Sequence, residues 1–266
     1  MKRPRRISKD DMKKGIYILP SLFTTASMLF GFFAILSVMQ GKFEIAAISI
    51  LISAVLDGLD GRIARVTKTV SKFGAEYDSL ADVIAFGVAP AIMIYKWSLE
   101  PYGNWGVAVA FLLLVCGALR LARFNVQIDI IDSKYFNGLP IPLPAAALAT
   151  GVLFFYKLGF VGQLFHPSML VVIVFLSLLM VSSVKFYSFK DMNFFARKPL
   201  MSFTLIVITL AVIISEPHVT LFVFCCGYIV SGPILLGTKL IKTHLLKHAD
   251  ADEHGHAKNG WGDGTL

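Results

Sequence analysis

Three cysteines in 266 residues are too few for a disulfide framework, and two of them, Cys225 and Cys226, are adjacent. Neighbouring residues on a helix point in different directions, so this pair suits neither a bridge nor a zinc ion. The cysteines read as small buried hydrophobes. Charge is scarce too: Asp, Glu, Lys and Arg make up 16% of the chain, against 56% hydrophobic residues and a mean hydropathy of +0.71. A soluble domain of this length needs far less apolar surface, so a multispanning membrane protein is the class that fits. No polar stretch between the apolar runs is long enough for a soluble domain, and no internal repeat is visible. No A-x-A cleavage site follows the first apolar run, which is therefore expected to be retained rather than removed as a signal peptide.

What the chain does have is apolar runs of membrane-spanning length. Eight candidate spans, at about 18–39, 43–64, 74–96, 104–123, 140–158, 167–186, 199–215 and 219–238, predict an all-α polytopic integral membrane protein with eight transmembrane helices. With the amino terminus in the cytoplasm, 22 of the 25 Lys and Arg residues fall in cytoplasmic segments; Lys42, Lys96 and Lys157 alone face the other side. The positive-inside rule thus places both termini in the cytoplasm. The net charge of +8 follows from this topology and from anionic headgroups, so membrane lipids are expected partners and nucleic acid is not.

Three segments are expected. Residues 1–17 form a basic juxtamembrane segment that can lie partly helical on the lipid surface. Residues 18–242 form the membrane domain, and 243–266 a polar, Gly-rich and disordered tail. That tail holds His244, His248, His254 and His256, but no carboxylate or cysteine framework fixes a metal geometry there, and a solvated tail is the simpler reading. Pro140, Pro142 and Pro144 read as a stiff loop entering a helix.

The costly residues are carboxylates. "DGLDGRIAR" at 57–65 closes the second span, and "DSLAD" at 78–82 opens the third. Asp57, Asp60, Gly61 and Ala64 share one helical face, and Asp78 and Asp82 stand at i, i+4 with Gly74 one turn earlier. Both pairs lie at the cytoplasmic ends of adjacent antiparallel helices. Four like charges brought together need a cation, and an all-oxygen set suits a hard divalent ion, Mg²⁺ or Mn²⁺. Two ions about 4 Å apart would match the arrangement used in phosphoryl chemistry. The bland reading puts the aspartates in the headgroup region, paired with nearby Lys and Arg. It serves for one such Asp, but poorly for four with three small residues interleaved at helical spacing.

The run Asp57-x-x-Asp60-Gly61-x-x-Ala64-Arg65-x8-Gly74-x3-Asp78-x3-Asp82 resembles the CDP-alcohol phosphotransferase family in every fixed position. The resemblance implies a membrane enzyme that moves a phosphatidyl-type group from a CDP-linked donor such as CDP-diacylglycerol to an alcohol, releasing CMP. Carried over by position, Asp57, Asp60 and Asp78 bind Mg²⁺ or Mn²⁺. Asp82 completes the metal site and acts as base toward the incoming hydroxyl. Gly61, Ala64 and Gly74 line the nucleotide pocket with Arg65 nearby. "LPSLFT" keeps Pro20 and the pyrophosphate-side Thr24 of the family pattern, with Ser21 in the asparagine place. The resemblance also implies a homodimer, in a cell inner membrane with its site facing the cytoplasm.

"ALRLARFN" (118–125) and "FNGLPIP" (136–142) resemble the phosphatidylserine synthase branch, which implies L-serine as acceptor. A physical reading runs beside it. Arg120 and Arg123 stand at i, i+3 on the end of an apolar helix, where a guanidinium fork can hold a serine carboxylate. Equally, both arginines can snorkel to lipid phosphates, and Asn125 can orient the serine ammonium or cap the helix end. A sister transferase using choline, glycerol phosphate or inositol phosphate stays open, as does a cation transporter built on the same aspartates.

Overall fold

A computed structural model describes residues 9–67, 71–127, 135–160, 165–187, 199–235 and 237. The expectations for residues 1–8 and for the tail 243–266 with its four histidines lie outside the described residues. Helix α1 (Lys9–Met39) carries the first expected span, and its start takes in residues 9–17. It is joined to α2 (Phe43–Thr67) by a turn at Gly41, whose φ of 72° favours glycine. The two helices meet through the small side chains Ala34, Ala46 and Ala47, all buried, which lets the backbones approach closely. A polar pair seals the contact. The Ser27 and Ser53 hydroxyls lie 2.8 Å apart, and Ser53 Oγ also donates to the Ser27 carbonyl at 2.9 Å.

Helix α3 (Lys72–Asp82) opens on Ser71, whose Oγ accepts from the Gly74 N–H at 3.0 Å. Beyond Asp82 the helix widens into π-helical turns, Val83–Val88, before α4 (Ala89–Ile94). Pro90 explains the widening. It has no N–H to donate, and in a regular α-helix its ring would strike the carbonyl one turn back. A second π segment, Tyr95–Leu99, and a short 3₁₀ turn, Glu100–Tyr102, lead to Gly103, where a φ of 54° turns the chain. Helix α5 (Gly103–Gln127) then folds back along this run. Gly31 of α1 faces the first π segment so closely that a Cβ on it would lie 2.7 Å from the Ala85 Cα. Gly31→Val is therefore expected to cost about 1–3 kcal/mol through overpacking, read as a lowered unfolding temperature in detergent.

The remaining described elements are β1 (Tyr135–Asn137), α6 (Pro142–Lys157), α7 (Ser168–Val181), β2 (Lys185–Tyr187), α8 (Pro199–Ser215) and α9, residues Pro217–Leu235. Helices thus stand at each of the eight expected places and the all-α class holds, with one correction. The sixth expected span ends at Val181 rather than running to residue 186: Ser182 is extended (ψ 161°), and its hydroxyl donates back to the Leu179 carbonyl at 2.8 Å. The released chain adds a short antiparallel two-stranded ribbon with β1, in the register Tyr135↔Tyr187, Phe136↔Phe186, Asn137↔Lys185. The ribbon closes over buried Leu139 and Phe186.

Among the described residues three helical stretches are long and apolar enough to cross a membrane: Pro20–Met39, Lys72–Val126 and Pro217–Leu235. The 55 residues of the middle stretch are the hairpin turned at Gly103. Apolar side chains cover the outside. On α8, Leu200 is 83% exposed and Ile214 79% exposed, a surface that suits lipid and not water. The protein is an integral membrane protein.

Candidate functional site

Beyond Glu44 in its first turn, helix α2 carries no charge until its last three turns, where Asp57 and Asp60 appear, and α3 brings Asp78 and Asp82 alongside. One carboxylate oxygen from each of Asp57, Asp60 and Asp78 lies within 4.8 Å of the others. The Asp82 carboxyl is within hydrogen-bonding reach of Asp57. The two pairs read from the sequence therefore do converge on one volume. Asp60 is 5% exposed and accepts from Thr24 Oγ1 at 2.9 Å. Asp78 Oδ1 is buried without a hydrogen-bond partner.

Among the described residues no Lys or Arg forms an ion pair with Asp57, Asp60 or Asp78. Among the described residues the ion pairs are Lys96–Glu100 and Lys157–Glu216, both elsewhere in the fold. Arg65, adjacent in sequence, turns onto its own helix, where Nε donates to the Gly61 carbonyl at 2.8 Å. Crowded carboxylates with an orphaned, buried oxygen and only oxygen donors fit a hard divalent cation. The donor set is right for Mg²⁺ or Mn²⁺.

The small residues play different parts. A Cβ on Gly61 would meet only the end of Arg65, at 4.0 Å, and one on Gly58 would meet nothing. This face of α2, with half-buried Ala64 further along, is open to a ligand. Gly74 differs: its Cβ would lie 3.1 Å from Ser71 Oγ, so its bareness serves the cap of α3.

The three residues expected at an acceptor site separate. Arg123 donates to the Val181 carbonyl at 3.3 Å, at the end of α7. Asn125 Nδ2 donates to Ser79 Oγ at 2.9 Å, tying α5 to α3. Arg120 alone turns to the carboxylates. It interacts with Asp82 and with Tyr228 of α9, its guanidinium carbon sits 5.8 Å from the centre of the Phe124 ring, and its Nε is buried without a partner. Tyr228 was missing from the sequence reading. Its ring stacks on Phe186 of β2, centroids 5.8 Å apart, and one tyrosine in an apolar helix carries no signal of such a place. Tyr77 was also missed; its hydroxyl lies 2.9 Å from that of Thr25 and joins α3 to α1.

A sequence model described as CDP-alcohol phosphatidyltransferase matches residues 17–178. The chain belongs to the CDP-alcohol phosphatidyltransferase family. It is 40% identical over 236 residues to the CDP-diacylglycerol–serine O-phosphatidyltransferase of Helicobacter pylori strain 26695, covering 89% of this chain and 98% of that protein. It is 38% identical over 170 residues to the archaetidylserine synthase of Methanothermobacter thermautotrophicus, covering 63% and 69% of the two chains. A CDP-diacylglycerol–serine O-phosphatidyltransferase of Methanocaldococcus jannaschii is 40% identical over 147 residues, covering 54% of this chain and 65% of its own. The part matched as a CDP-alcohol phosphatidyltransferase holds all four aspartates and Arg120, whereas β2, α8 and α9 follow it.

Proposed function

We propose that the protein transfers the phosphatidyl group of CDP-diacylglycerol to the hydroxyl of L-serine, giving phosphatidylserine and CMP. The observation that carries the reading is the cluster of Asp57, Asp60 and Asp78, to which no Lys or Arg among the described residues forms an ion pair, in a chain of this family. The serine acceptor is supported by relatives whose names share serine while their lipids differ, and by Arg120. A half-buried guanidinium whose Nε is enclosed without a partner suits a carboxylate, which choline lacks. Choline would be better served by an aromatic cage, and a phosphorylated acceptor by a larger cationic pocket.

In this reading Asp57, Asp60 and Asp78 hold Mg²⁺ or Mn²⁺, with Asp82 beside them. The bound ion would neutralise the pyrophosphate and stabilise departing CMP. Asp82 takes the proton of the serine hydroxyl as its oxygen forms the new bond to phosphorus and the bond to the CMP oxygen breaks. Arg120 holds the serine carboxylate so that this hydroxyl faces the phosphorus. The open face of α2 at Gly61 and Ala64 receives the cytidine, with Arg65 at its edge and Gly74 across on α3. No separate nucleophile is called for, so displacement is direct.

The chain crosses a cell inner membrane eight times through residues 18–242, with both termini and the site on the cytoplasmic side and a homodimer as the working unit. The distribution of Lys and Arg supports this orientation.

Detergent-purified protein, labelled CDP-diacylglycerol and a panel of alcohols test the proposal. CMP release is expected with serine and Mg²⁺ or Mn²⁺, and is expected to stop on adding a chelator and return with the metal. Release with choline or glycerol phosphate in place of serine would move the protein to a sister activity. Folded protein that releases no CMP, yet carries a divalent ion across a vesicle membrane, would make it a transporter.

A further inference from the structure

Helix α1 contributes no carboxylate to the site, yet it holds both helices that do. Ser27 is bonded to Ser53 of α2, and Thr25 to Tyr77 of α3. Beside these contacts lies Thr24, 5% exposed. Its hydroxyl is 2.9 Å from Asp60 Oδ2 and 3.2 Å from the Pro20 carbonyl oxygen. A carbonyl oxygen can only accept, and so can an ionised carboxylate. The single hydroxyl proton must therefore serve these two acceptors, with the nearer one on Asp60. Threonine is stiff about χ1 because it branches at Cβ, and its back-bond to the preceding turn holds the hydroxyl further. The hydroxyl is thus aimed into the protein at one oxygen of a buried carboxylate, not outward to the face of α2 that Gly58 and Gly61 leave open.

We propose that Thr24 is a positioning residue: it turns Asp60 so that its second oxygen meets the cation, and it does not contact the CDP-linked lipid. This rests on the reading that the aspartates bind a divalent ion. Groups that orient metal ligands typically change metal affinity 10–100-fold when removed.

The test is titration of metal-free protein with Mn²⁺, followed by electron paramagnetic resonance, without lipid or serine. Thr24→Val keeps the shape and loses the hydroxyl; Thr24→Ser keeps the hydroxyl and loses the methyl. Thr24→Val is expected to weaken Mn²⁺ binding roughly 10-fold or more, with Thr24→Ser staying near the parent. At saturating Mn²⁺ the KM for CDP-diacylglycerol is expected to stay near that of the parent in both. Unchanged Mn²⁺ affinity in Thr24→Val overturns the proposal, and a raised lipid KM beside it makes Thr24 a substrate contact. Equal weakening by both variants overturns it as well, since the methyl and not the hydroxyl then matters. If the parent protein binds no Mn²⁺, the metal reading itself fails and this proposal falls with it, an outcome distinct from the other two.

Discussion

Asp82→Asn is expected to reduce CMP release by roughly 10²–10⁴-fold, the usual range for removal of a positioned base. Asparagine has nearly the size of aspartate and keeps hydrogen bonding, so α3 and the π-helical turns behind it should stay in place. What disappears is the ability to take a proton. Asp82 suits that role because Asp57, Asp60 and Asp78 form the tight oxygen group, while Asp82 stands at its edge against Asp57 and within reach of Arg120. The check is turnover at saturating serine and metal, together with Mn²⁺ binding. Turnover falling while Mn²⁺ still binds fits a base. Turnover within tenfold of the parent would remove Asp82 from the chemistry.

Arg120→Lys is expected to raise the KM for serine by roughly 10–150-fold, equivalent to about 1.5–3 kcal/mol for one lost charge-assisted hydrogen bond. Lysine keeps the charge but offers a point where the guanidinium offers a fork. The KM for CDP-diacylglycerol should barely move. Arg123→Lys supplies the contrast. Its guanidinium already bonds the Val181 carbonyl, so its serine KM should stay within about threefold, the surface-substitution range. Serine kinetics for both variants decide the matter: equal effects, or none from Arg120→Lys, would place the carboxylate elsewhere.

The helices were readable from the sequence because hydropathy and length report burial in lipid directly. The aspartates were readable because a charge near a membrane is costly, and helical spacing fixes which charges share a face. Other features left no such trace. Arg120 and Arg123 share one face on a helical wheel, and only the side chains they meet across the fold tell them apart. The π-helical turns keep backbone angles close to those of an α-helix, so Pro90 hints at a disturbance without giving its form. The ribbon is the clearest case. Three residues on each strand are too few for an alternating pattern, and "SSVKF" at 182–186 continues the apolar run of α7. Local composition favoured helix there; pairing with a distant strand decided otherwise.

That pairing bears on how the chain is made. β2 leaves the ribosome about fifty residues after β1, several seconds later at roughly 5–20 residues per second. Until then the backbone donors and acceptors of β1 wait without their strand, tolerable at an aqueous boundary and not inside hydrocarbon. Closure must follow synthesis of both α6 and α7, which makes this short clasp a marker that the pair is in place.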